Sequence, residues 1–162
     1  MILVALGSNR RGPWGTPHET VSRALQVLNR GGLKLKRSST LLQSLPFGRT
    51  DQPVFVNAVA EVETAIGPVA LMQKLHHIER MAGRRRTLRW GPRTLDLDLL
   101  DYNGRVRPRP ARPTLPHPGI EERIFVLAPL LEVAPHWRHP VSKLSARAML
   151  RRLDPAGEGA LL

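Results

Sequence analysis

The chain has 162 residues, 41% of them apolar and none a cysteine, which supplies core material for one folded domain and excludes disulfides and thiolate metal sites. Its formal charge of +12 points either to an anionic partner or to a solubility choice in an arginine-rich proteome, while three tryptophans, three phenylalanines and one tyrosine are a poor supply for stacking single-stranded bases. The apolar run Ile2–Leu6 is too short for a secretion signal, and no later run nears the roughly 20 residues a bilayer span requires, so no membrane association and a cytoplasmic location are expected.

In chain order, "MILVALGS" reads as a short buried strand ending at Gly7. A loop with Gly12, Pro13 and Gly15 leads to a helix start. There Thr16 is the N-cap, Pro17 the first helical residue, and Glu19 closes a capping box. Val21, Ala24, Leu25 and Leu28 make one apolar stripe, and Gly31-Gly32 stops the helix. "LKLKRSSTLLQS" is strand-like but weakly patterned, and Leu45 to Pro53 is a loop. "VFVNAVAEVET" alternates cleanly: Val54, Val56, Ala58, Ala60 and Val62 share one face, Phe55, Asn57, Val59, Glu61 and Glu63 the other.

Gly67-Pro68 opens a second helix with Leu71, Leu75, Ile78 and Ala82 as its buried stripe and Gly83 as its end. An arginine-rich loop follows, then the strand "TLDLDLLDY" with Asn103-Gly104 turning behind it. Prolines at 108, 110, 113, 116 and 118 forbid regular structure. "EERIFVLAPLLEVAP" is a short helical segment, a final amphipathic helix is expected over Val141–Leu153, and the tail "GEGALL" is expected to be loose. The order β-α-β-β-α-β with a C-terminal extension is the α+β, ferredoxin-like arrangement. In it an antiparallel sheet carries helices on one face and leaves the other for loops and a ligand. No repeat or low-complexity linker divides the chain, so residues 1–162 are expected to form a single domain.

The segment "RWGPRTLDLDLL" carries the chemistry. On a strand, Asp96 and Asp98 point to one side while Leu95, Leu97 and Leu99 point to the other. Two carboxylates that close repel each other unless a cation neutralises them, and hard oxygen ligands favour Mg²⁺. Two solvated acids on a half-exposed strand are the alternative. Asp101 has the opposite parity and reads as plain surface. Just upstream, Arg84, Arg85, Arg86, Arg89 and Arg93 crowd together. Guanidinium groups bind phosphate oxygens in pairs and stay charged. Carboxylate-bound metal plus arginines is what phosphoryl transfer needs, so the segment looks like a metal-triphosphate site. Gly7 and Gly12 have P-loop spacing, but Pro13-Trp14 stands where Lys-Ser/Thr belongs. His76 and Glu79 share a helix face near the arginines; a nucleotide contact and a solvated face both remain open there.

These residues are collinear with a known family. From "ALGSN" (Ala5–Asn9) through "DQPVFVN" (Asp51–Asn57), "IERMAGR" (Ile78–Arg84), "RWGPRTLDLDLL" and "LPHP" (Leu115–Pro118) to "RIFVLAPLLEVAP" (Arg123–Pro135), the chain resembles the 6-hydroxymethyl-7,8-dihydropterin pyrophosphokinases. The resemblance implies a ferredoxin-like fold and diphosphate transfer from ATP to the pterin, with AMP leaving, in folate biosynthesis. It also implies two Mg²⁺ ions between Asp96, Asp98 and the phosphates. Arg84 and Arg93 match the arginines that stabilise the phosphates during transfer, and with the two aspartates they form the catalytic set. His76, Glu79, Arg86, Arg89, Trp90, His117 and Arg123 match ATP-contacting positions, with His76 standing where glutamine is commoner.

For the pterin, the resemblance implies Phe55 and Asn57 for stacking and amide recognition, Phe125 as the opposing aromatic, and Trp90 capping the closed site. Taken alone, Phe55 and Asn57 also read as a core phenylalanine beside a surface asparagine. The loop Ser44–Gly48, with Leu45 and Phe47, supplies further pterin contacts. Here the chain departs from the usual aromatic-Glu-Thr pattern with Leu42-Gln43-Ser44, though Ser44 keeps a hydroxyl. Small-molecule substrates, no nucleic acid and a monomer are the expected partners and state. The arginine loop and the "LPFGRT" loop are expected to close over ATP. The rival readings are a Mg²⁺-dependent nuclease or RNA-binding domain of the same fold, and a non-catalytic module whose acids are merely solvated.

Overall fold

The computed structural model describes residues 1–47, 51–84 and 93–162. Its elements are β1 (Ile2–Ser8), α1 (Pro17–Val27), β2 (Leu33–Ser38), β3 (Leu42–Ser44), β4 (Phe55–Thr64), α2 (Pro68–Met81), β5 (Asp96–Tyr102), a single 3₁₀ turn (Ile120–Glu122), α3 (Ile124–Val133) and α4 (Ala146–Leu150). All strand pairs are antiparallel, in the order β2-β4-β1-β5, with β3 pairing the other end of β4. This is the ferredoxin-like α+β sheet.

Local sequence explains the first helix. Thr16 Oγ1 accepts from the Glu19 N–H while Glu19 Oε1 accepts from the Thr16 N–H, so both halves of the capping box form. α2 ends where Gly83 adopts φ +87°, the left-handed turn that closes a helix; a Cβ there would lie 2.6 Å from Pro13 Cδ. Both helices lie on one face of the sheet. Val21 and Ala24 from α1, Leu28 at its C-cap, and Leu71, Leu75 and Ile78 from α2 meet Val4, Leu6, Ala58, Ala60, Leu97 and Leu99. Each such large aliphatic side chain contributes about 1.5–3 kcal/mol by leaving water.

The weakly patterned stretch after α1 is two strands rather than one. At the break, Ser39 Oγ accepts from the Val59 N–H at 3.0 Å, and Glu132 of α3 accepts from both the N–H and the hydroxyl of Thr40. A polar run thus satisfies β4 while the chain shifts from one pairing to the next.

The second sheet face differs from the expectation of an open ligand surface. Leu3, Ala5, Val59 and Leu100 pack there against α3, α4 and Trp137. The C-terminal extension covers this face except at the end where Phe55, Asn57, Asp96 and Asp98 emerge. The final helix is shorter than the periodicity of 141–153 suggests. His139 Nδ1 accepts from the N–H groups of Val141 and Ser142, Lys143 sits at φ 65°, and Ser145 caps a helix of only five residues. The segment 157–162 is not loose: Ala160 is buried and its carbonyl accepts from the Leu45 N–H.

Asp101 also differs from its predicted place. The β1–β5 register shifts between Leu3 and Val4, so Leu3 faces Asp101 while Val4 faces Leu99. This bulge at Leu100 puts Leu100 and Asp101 on the same side and inverts the parity beyond it. Asp101 is 3% exposed, and its carboxylate accepts from Trp137 Nε1 at 2.7 Å and from the Gly104 N–H at 2.9 Å.

Candidate functional site

One cleft of about 250 Å³ opens at the uncovered end of the second face. It is lined by Ser44, Leu45, Phe47, Phe55, Asn57, His76, Glu79, Arg84, Arg93, Asp96, Asp98, His117, Arg123 and Phe125. These are all the candidate site residues that fall among the described residues. Gly48, Arg86, Arg89 and Trp90 lie outside the described residues.

The acid strand forms because Leu97 and Leu99 are pulled into the core, which forces Asp96 and Asp98 to the other side. Their side chains are 34% and 30% exposed. β5 ends the sheet, and its Leu97 N–H has no further strand to meet; the Glu79 carboxylate of α2 accepts it at 2.8 Å. Glu79 also pairs with Arg84, and Arg84 Nη1 reaches Asp96 Oδ1 at 2.9 Å. The guanidinium is therefore held between a helix carboxylate and a strand carboxylate. Its Nε–H is buried with no acceptor among the described residues, a donor free for an incoming oxygen.

The electrostatics are frustrated in a specific way. Loss of solvent pushes Glu79 up to about 7, against the pull of Arg84 and the Leu97 N–H. Loss of solvent, reinforced by the neighbouring Asp96 charge, pushes Asp98 up to about 8, although Arg123 draws it down. Arg123 Nη1 and His117 Nε2 stand 3.9 and 3.7 Å from Asp98. Burial, followed by the Arg123 charge, lowers His117 to about 4. His117 is thus neutral near pH 7, and because its Nδ1 accepts from the Gly119 N–H at 3.0 Å, the ring proton sits on Nε2. An acid pair left this uncomfortable favours an added cation.

The aromatic end is built from β3, β4 and α3. Asn57 Nδ2 donates to Ser44 Oγ at 2.7 Å, which links the two strands side chain to side chain. A Cβ on Gly7 would meet Asn57 Oδ1 at 3.5 Å and the Phe55 ring at 3.7 Å, so its absence leaves room beside both. Phe47 and Phe125 pack with ring centroids 5.9 Å apart and planes tilted by 60°. Arg123 lies over the Phe47 ring at 5.7 Å, joining the aromatic end to the charged end.

Asn9 is a positioning residue that sequence reasoning passed over. It is buried just beyond β1. Its Oδ1 accepts from the Arg93 N–H at 2.7 Å, its own N–H donates to the Arg93 carbonyl at 3.0 Å, and Nδ2 donates to the Pro53 carbonyl at 3.0 Å. One side chain therefore fixes both Arg93 and the residue leading into β4. The available signal was a polar asparagine directly after a buried strand, in "ALGSN".

Residues 3–135 match the family model described as 7,8-dihydro-6-hydroxymethylpterin-pyrophosphokinase. The chain is 42% identical over 132 residues to 2-amino-4-hydroxy-6-hydroxymethyldihydropteridine pyrophosphokinase of Haemophilus influenzae, covering 81% of this chain and 79% of the relative. It is 43% identical over 140 residues to the protein of the same name from Pseudomonas aeruginosa, covering 86% and 83%. It is 41% identical over 132 residues to the mitochondrial folate synthesis bifunctional protein of Arabidopsis thaliana, covering 82% of this chain and 23% of that longer protein.

Proposed function

The chain belongs to the 7,8-dihydro-6-hydroxymethylpterin-pyrophosphokinase family, and on that premise we propose how its cleft moves a diphosphate from ATP to 6-hydroxymethyl-7,8-dihydropterin in folate biosynthesis. The observation that carries the reading is the meeting of an acid pair, arginines and an aromatic end in one cleft. In the reaction, the hydroxymethyl oxygen bonds to the β-phosphorus, the α–β bridging oxygen leaves with AMP, and the hydroxyl proton passes to solvent.

Asp96 and Asp98 fit a divalent cation: they share a face, keep a third of their surface open, and repel each other without one. Two carboxylates suit Mg²⁺, which takes one or two of them and completes its octahedron with phosphate oxygens and water. Bound there as two ions, Mg²⁺ would neutralise the triphosphate and align it.

Arg84, fixed by Glu79 and Asp96, offers to a phosphate oxygen its Nε–H, which has no acceptor among the described residues. Arg93, whose backbone is pinned by Asn9, and Arg123 supply further positive charge as the transition state spreads it over the transferred group. Neutral His117 donates from Nε2, a hydrogen bond that does not compete with the metal for the carboxylates. His76, Arg86, Arg89 and Trp90 complete the ATP side. Ser44, Leu45, Phe47, Gly48, Phe55, Asn57, Trp90 and Phe125 take the pterin. Asn57 Oδ1 accepts from its edge, since Nδ2 is engaged by Ser44.

Small molecules rather than nucleic acid are the proposed partners. Glu79, Asp96 and Asp98 interrupt the arginines, whereas a single strand needs a continuous positive groove with stacking rings. The proposed working unit is the monomer. No helix among the described residues is long and apolar enough to cross a membrane.

The test is product analysis with ATP, Mg²⁺ and the hydroxymethyl dihydropterin. AMP and pterin diphosphate should appear in equal amounts and stop on chelation of the metal. Release of ADP, or turnover that persists in chelator, would overturn the reading.

A further inference from the structure

The segment 157–162 lies beyond the residues matched by the family model, yet it packs behind β3 and the aromatic rings that line the cleft. Leu45 N–H donates to the Ala160 carbonyl at 2.9 Å and Leu162 N–H to the Gln43 carbonyl at 3.0 Å. Ser44 and Leu161 form an antiparallel bridge between them. The segment therefore adds itself to β3, whose other edge already pairs with β4. β3 has only three residues, and so short a strand held from one side is marginal.

The same segment touches the aromatic end directly. Gly159 adopts φ +69°, and a Cβ there would lie 2.7 Å from Phe125 Cδ1 and 3.4 Å from Phe47 Cδ2. The backbone is thus pressed flat against both rings at a place where only glycine fits without strain. Ala160, the next residue, is buried.

We propose that the segment 157–162 is a positioning element for the pterin half of the cleft. It holds Ser44, Leu45 and Phe47 in place by strand addition, and it sets the tilt of Phe47 against Phe125 through Gly159. Among the described residues, the hydrogen bonds, bridge and ring contacts of the segment run to β3, Leu45, Phe47 and Phe125 and not to α2 or β5. The inference rests on the reading that Phe47 and Phe125 face the pterin.

Two variants test it: deletion of residues 158–162, and Gly159→Ala, which keeps the strand addition but drives a methyl group into the rings. Binding of a nonhydrolysable ATP analogue with Mg²⁺ is measured by calorimetry, and KM for the pterin by steady-state kinetics. Both variants should raise the pterin KM about tenfold or more while analogue affinity stays within about twofold of wild type. Phe125→Ala serves as the reference and should raise the pterin KM as well. If the reference weakens pterin binding but neither segment variant does, the inference is wrong and the proposed function stands. Pterin and nucleotide affinities falling together, with the melting temperature, would mean a merely structural role and also overturn it. A pterin KM unchanged in Phe125→Ala would remove the reading beneath it.

Discussion

The two ends of β5 hold acids in opposite conditions. At the end where β5 begins, Asp96 and Asp98 share a partly open face with too few partners for two charges, and Asp98 is pushed up to about 8 by lost solvent and by its neighbour. Near the other end, Asp101 is nearly sealed from solvent and accepts two well-placed N–H groups. The first pair is costly as it stands and would be relieved by a cation; the second acid is complete without one. An acid's spacing on a strand does not separate these conditions. The donors around it do.

Removing the acids should therefore produce opposite defects. Asp96→Ala and Asp98→Ala should each lower kcat/KM by about 10²–10³-fold or more, the range for losing a preorganised electrostatic contact to the transition state. The melting temperature should not fall for Asp98→Ala, because a carboxyl group repelled by the neighbouring Asp96 charge is being removed. Steady-state AMP release and thermal melts measure both. A stability loss in Asp98→Ala with activity retained would make it a structural acid like Asp101 and collapse the contrast.

Asp101→Ala sharpens the comparison from the other side. It orphans Trp137 Nε1 in the core between the sheet and α3. An unsatisfied buried donor costs about 1–3 kcal/mol, which in a chain of this size lowers the melting temperature by roughly 2–10 °C. At 25 °C the variant should turn over within a few-fold of wild type. An activity loss comparable to Asp98→Ala would show that this end of the strand also serves the chemistry.

What was legible in the sequence follows the same division. The capping box of α1, the stripe of α2 and the two faces of β4 depend on neighbours three, four or two residues away, and they appear as read except that β4 begins at Phe55, leaves Val54 exposed and is buried on both faces. The convergence of Phe55, Asp96, His117 and Arg123 was legible through the family resemblance, because their spacing alone leaves them far apart. Asp101 was misplaced because a bulge depends on how β5 registers against β1, which no local pattern in "DLDLLDY" records. The segment 157–162 looked loose because its glycines and lack of periodicity suit a free end; its order comes from the open edge of β3, more than a hundred residues earlier in the chain. Asn9 was passed over because its partners, Pro53 and Arg93, lie on two distant loops.

Glu79 stands between the two kinds of acid and gives the finest test. Like Asp101 it is buried and hydrogen-bonded, to the Leu97 N–H and Arg84; like Asp98 its proton affinity is raised, to about 7 from an ordinary value of 4.5. An acid that binds its proton more tightly when folded favours the fold fully below pH 4.5 and loses that contribution as pH climbs through about 7. Glu79→Gln keeps the acceptor for Leu97 but cannot titrate. The stability of wild type relative to Glu79→Gln should accordingly decline between pH 5 and pH 8 in urea unfolding. A difference that grows with pH would mean that the Arg84 pairing outweighs burial, and would place Glu79 with the satisfied acids.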